Sequence, residues 1–104
     1  MYSIILLAKT VNEGGDEDVF GPYNVIQDYL TITTVLHKHL DKELDIPVSI
    51  CIGFCDGEYI VNILDEYSKD ECIQIIEAIN EPVVPQFNYR FLENHHLKFD
   101  IIKP

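Results

Sequence analysis

The chain has 104 residues, 47% of them hydrophobic and 24% charged, with 18 acidic against 7 basic side chains and a formal net charge of −11. That length suits one domain over residues 1–104. The apolar fraction excludes intrinsic disorder, and no apolar run approaches the roughly 20 residues that span a bilayer.

Tyr2 to Val11 is the first predicted strand. Its centre, Ile4-Ile5-Leu6-Leu7-Ala8, is apolar at both parities, the pattern of a strand buried on two faces and so central in a sheet. Asn12 to Pro22 forms a loop, long for a connection, that carries Glu13, Asp16, Glu17 and Asp18 and no base. From Tyr23 to Leu44 the residues Ile26, Tyr29, Ile32, Leu36, Leu40 and Leu44 recur at three- and four-residue steps. That spacing predicts an amphipathic helix, opened by Pro22 and an Asn24–Gln27 capping box. Thr31 to Val35 is β-branched throughout, so a strand over residues 29–36 competes with it.

Val48 to Phe54 and Tyr59 to Asp65 flank Asp56-Gly57, a strong hairpin signal. A two-residue turn pairs Phe54 with Tyr59, Ile52 with Val61 and Ile50 with Ile63 on one face. On the other it pairs Cys55 with Glu58, Gly53 with Ile60, Cys51 with Asn62 and Ser49 with Leu64. A slip of one residue mixes the two sets, so turn chemistry and pattern agree. Ser68 and Glu71 then make a capping box for a helix through Cys72, Ile75, Ile76 and Ile79, ending near Asn80. Gln86 to Leu92 and His96 to Ile102 pair as a second hairpin around Glu93-Asn94-His95. That register gathers Phe87, Tyr89, Phe91, Leu97, Phe99 and Ile101 on one face.

This order predicts an α+β fold, ferredoxin-like βαββαβ with an extra C-terminal strand. The sheet is expected to be five-stranded and antiparallel in the order 2-3-1-4-5, with two helices on one face.

No catalytic or metal motif is present. His37 and His39 fall on nearly opposite sides of a helix, and Cys-x-x-Cys and His-Glu-x-x-His spacings are absent, so neither a metal nor a cofactor is expected. The acidic loop departs from a calcium loop at Phe20 and lacks its terminal glutamate. Nothing in so acidic a setting lowers the pKa of Cys51 or Cys55, and Gly14-Gly15 has anionic neighbours and no lysine to cradle a phosphate. An enzyme is therefore not expected, unless a pocket brings His95 or His96 against a tyrosine, a cysteine or a carboxylate.

The charge excludes direct nucleic-acid binding and attraction to anionic membranes, both of which depend on Lys and Arg. The three cysteines, an odd number, and the lack of a basic leader before the first apolar run point to reduced thiols in the cytoplasm. In the expected topology the loop after the first strand and the turn after the second emerge at one end. Glu13, Asp16, Glu17, Asp18, Asp56 and Glu58 are then the candidate partner-binding surface. The sheet face without helices, carrying Cys51, Gly53, Cys55, Ile60 and Leu64, is the candidate interface, for a homodimer or for a partner.

The expectation is thus a non-enzymatic binding protein that neutralises a basic partner. A bacterial immunity protein against a cationic toxin such as a nuclease is the leading form. A nucleic-acid mimic that blocks a DNA-binding protein and a homodimeric small-ligand sensor are the alternatives.

Overall fold

The computed structural model describes residues 1–11 and 22–103, with the side chains of residues 22–24 left aside. The order is β1 (Tyr2–Thr10), α1 (Pro22–Leu36) continued by a π-helical stretch (His37–Lys42), β2 (Cys51–Cys55) and β3 (Glu58–Tyr67). Then come α2 (Lys69–Val83), a 3-10 turn (Val84–Gln86), α3 (Tyr89–Asn94) and β4 (His95–Ile102). The fold is α+β, with a four-stranded antiparallel sheet in the order β2-β3-β1-β4.

β1 is central, as its two-faced apolar pattern requires, with β3 on one side and β4 on the other. The β2–β3 hairpin has the expected register, Cys51↔Asn62 through Cys55↔Glu58. Asp56 and Gly57 take φ of 52° and 76°, the left-handed pair that a tight hairpin turn needs. Beyond Cys51 the ladder stops, and Ser49 N–H donates to the Ile63 carbonyl in place of the Ser49–Leu64 pair.

The β-branched run of α1 is helical. Two of its hydroxyls are satisfied within the helix: Thr31 donates to the Gln27 carbonyl at 3.0 Å and Thr33 to that of Tyr29. Ile32, Leu36 and Leu40 are fully buried as spaced, whereas Ile26 and Leu44 at the ends of the predicted stripe are exposed. Because the helix starts at Pro22, Asn24 takes a place within its first turn and not the N-cap position. α2 opens on the Ser68–Glu71 capping box and runs three residues past Asn80, taking Pro82 into its last turn.

The strand expected over Gln86 to Leu92 and the second hairpin are not formed, so the sheet has four strands among the described residues, not five. Asn88 caps α3 by accepting from Phe91 N–H at 2.8 Å, so residues 89–94 coil instead of extending. The segment expected as the fifth strand takes the fourth place in the sheet. Phe87 and Phe91 stack with centroids 5.1 Å apart, and Phe91 stacks on His95 at 4.2 Å. Tyr89, assigned to the same aromatic face, is 79% exposed.

One face of the sheet, with Ile4, Leu6, Ala8, Val61 and Ile63, shares a single buried cluster with Ile32 and Leu36 of α1 and Cys72 and Ile79 of α2. The other face carries the alternate residues. β3 interrupts this alternation: β1 pairs Leu6 with Val61 and Ile5 with Asn62, but Ile4 with Leu64 and Tyr2 with Tyr67. The extra residues are β-bulges, and Glu66 at the second one takes a left-handed φ of 67°.

Candidate functional site

The first candidate surface is the end of the sheet where β1 finishes. Thr10 N–H donates to the Gly57 carbonyl at 2.9 Å and Val11 N–H to the Asn94 carbonyl at 3.0 Å. The chain therefore leaves β1 directly beside the Asp56-Gly57 turn. Asp56 is exposed there, and Glu58 is half-buried with Lys9 as its cross-strand neighbour. Glu13, Asp16, Glu17 and Asp18 lie outside the described residues.

Acids also collect at the opposite end, where β1 begins and β3 finishes: Asp65 and Glu66, followed by Asp70 and Glu71 at the start of α2. Asp41, Glu43 and Asp45 lie along the connection from α1 to β2. His39 Nδ1 meets Glu43 Oε2 at 2.8 Å, and His37 stands 3.9 Å from Asp41.

The second candidate surface is the sheet face without helices. Cys51, Cys55 and Ile60 are exposed on it, Ile60 to 41%. Leu64 is not: it is 3% exposed and belongs to the buried cluster. The bulge at Ile63–Leu64 is the reason, since it sets Leu64 opposite Ile4 on the helix side. The alternation resumes with Asp65, whose Oδ1 accepts from Ser3 Oγ at 2.7 Å. Two rows cross the middle of this face, Cys51–Asn62–Ile5–Asp100 and Gly53–Ile60–Leu7–Lys98. The side-chain oxygen of Asn62 is buried with no hydrogen-bond partner among the described residues.

The third group escaped sequence reasoning. Asp28 of α1, Tyr59 of β3 and His95 of β4 meet on the helix side of the sheet. Tyr59 donates its hydroxyl to Asp28 Oδ2 at 2.6 Å, and His95 Nε2 stands 3.8 Å from the same oxygen. His95 Nδ1 lies 3.0 Å from the Phe91 carbonyl, which only accepts, so Nδ1 carries the proton. Burial, and then the Asp28 carboxylate that accepts its proton, push the Tyr59 phenol far above its ordinary pKa. Burial and then nearby Glu71 raise the Cys72 thiol likewise.

This is a contact of histidine with tyrosine and carboxylate, the arrangement named above as the condition for catalysis. Tyr59 and Asp28 satisfy each other and His95 bonds the Phe91 carbonyl, however, and Tyr59 and His95 are 1% and 5% exposed. Ring contacts from Phe54 and Tyr29 close further around Tyr59. The cleft of about 240 Å3 lined by Pro47, Val48, Ile63 and Tyr67 lies at the other end of β3. No set of three or more metal-ligating side chains is grouped among the described residues. Nor is any described helix long and apolar enough to cross a membrane.

Comparisons of the chain with protein-family models, with curated proteins and with solved structures returned no match.

Proposed function

We propose that this chain is a small acidic binding protein, without enzymatic activity, that neutralises a basic protein partner. Its frame is ferredoxin-like in kind, with one strand fewer than the sequence suggests. A bacterial immunity protein acting in the cytoplasm on a cationic toxin such as a nuclease is the form that suits a net charge of −11 on so short a chain.

The hydrogen bond from Thr10 to Gly57 carries this reading. It ties the point where the chain leaves β1 to the turn that exposes Asp56, so two acidic connections start from one end of the sheet. Like charges on adjoining connections repel each other, and a cationic surface relieves that repulsion. The Asp28–Tyr59–His95 group, with Tyr59 and His95 buried, supports the fold beneath this end and takes no part in chemistry.

A second reading, mimicry of a nucleic acid, draws on the acids at the opposite end. Carboxylates at both ends, from Asp56 to Asp65, Glu66, Asp70 and Glu71, resemble spaced phosphates better than a single pole does. Both readings predict a basic partner, and they part on competition.

The test is capture of partners from extract of the source organism at low and high salt. The wild-type chain is compared with the Asp16→Lys, Glu17→Lys, Asp18→Lys, Asp56→Lys variant. Salt-sensitive basic partners that associate more slowly with the variant support the proposal; partners that are not basic, or an unchanged on-rate at low salt, overturn it. Displacement of the partner by duplex DNA favours the mimic.

A further inference from the structure

We infer that the sheet face without helices is a docking surface for a second copy of this chain. Charge is the first argument. The protein carries 18 acids against 7 bases, yet this face sets Lys9 and Lys98 against Glu58, Asp65 and Asp100. Two bases against three acids leave this face far less anionic than the chain as a whole, so two copies meet there with less repulsion than elsewhere.

The distribution of that charge is the second argument. Lys9 and Lys98 lie in the rows toward the end of β1, while Asp65 and Asp100 lie in those toward its start; Glu58 alone departs from the pattern. An isologous pair stacked face to face, with its two-fold axis across the strands, reverses the strand direction between copies. The Lys98 row of one copy then lies over the Asp100 row of the other, twice by symmetry. Both pairs fall on β4; beside them Leu7 lies over the buried Ile5 and Ile60 over Asn62, while Glu58 falls over Asp65, a repulsion that weakens the dimer.

Area is the third. Four strands about 4.8 Å apart and four outward-facing rows give roughly 500 Å2 of projected surface per copy. About 1,000 Å2 in total is the lower bound of a specific interface, so the dimer is weak and concentration-dependent. This surface is distinct from the acidic end, and a dimer leaves that end free for a basic partner.

Sedimentation velocity of the full chain over a concentration series tests the inference. The expected result is a rise from monomer to dimer mass, with Ile60→Lys weakening association at least ten-fold. Lys98→Asp and Asp100→Lys should each weaken it several-fold, and the double exchange should restore it. A chain that stays monomeric throughout, a dimer indifferent to Ile60→Lys, or a double exchange that fails to rescue overturns the arrangement. Alkylation of wild-type Cys51 and Cys55 checks it without any variant. Their labelling should slow as concentration rises, and a rate independent of concentration counts against the interface. Neither readout involves the basic partner, so the failure of one proposal is separable from failure of the other.

Discussion

The two faces of one sheet are built from the same strands, residue by residue in alternation, and they behave as different materials. On the helix side Ile4, Leu6, Val61 and Ile63 are fully buried against α1 and α2. On the other, Ile60 and Cys51 meet solvent although Ile5 and Ser3 of β1 are buried, and the Asn62 side-chain oxygen has no hydrogen-bond partner among the described residues. The lesson is that hydrophobic pattern fixes register, while the covering layer decides how much each apolar side chain contributes to stability.

Truncation of both faces is the most direct way to break this contrast. Ile63→Ala should destabilise the chain by about 2–5 kcal/mol, because it leaves a cavity among close-packed neighbours. Ile60→Ala, in dilute monomer, should cost about 0.5 kcal/mol or less, as expected of an exposed site. Urea denaturation of the two variants measures the gap, and equal losses would mean that the open face is covered.

The polar exception on the helix side sharpens the contrast. Tyr59→Phe should cost about 1.5–3 kcal/mol, since it removes a hydrogen bond to a charged group and leaves Asp28 unpartnered. The pH dependence has a definite sign. The folded state holds the Tyr59 proton more tightly than the unfolded chain does, so its contribution is complete below about pH 10. As pH rises further the unfolded chain ionises first and that stability is lost. Alkaline denaturation of Tyr59→Phe should therefore be shallower than that of wild type, and parallel curves would remove Tyr59 from the account.

A smaller loss than those on the helix side concerns the segment that closes it. Asn88→Ala should lower stability by about 1 kcal/mol by uncapping α3. Circular dichroism should show a small loss of helix, whereas a gain of strand would revive the hairpin expected from the sequence.

Much of the frame was legible because it rests on local chemistry. Asp56-Gly57 dictates its turn, Ser68 with Glu71 dictates a helix start, and the two-faced apolar run of β1 dictates its central place. The misreadings have equally physical causes. Phe87, Tyr89 and Phe91 fit a period of two, but Phe87, Phe91 and His95 fit a period of four, and the Asn88 cap selects the second. Leu64 was assigned to the open face by counting alternate residues, and the bulge shifts that count by one.

Of the candidate site, the exposure of Cys51, Cys55 and Ile60 followed from register alone. Asp28, Tyr59 and His95 come from three distant segments, and no spacing announces their meeting. The one available signal was that a tyrosine paired with Phe54 on an apolar face needs somewhere to direct its hydroxyl.

The irregular end of β3 also determines where the chain tolerates a change of length. Removing a residue between Glu58 and Asn62 would turn every later side chain of the strand onto the wrong side. Removing Leu64 instead would straighten the ladder, with Ile63 opposite Ile4 and Asp65 still opposite Ser3. There the strand holds a spare residue, and an ancestor or relative lacking it could keep both faces intact.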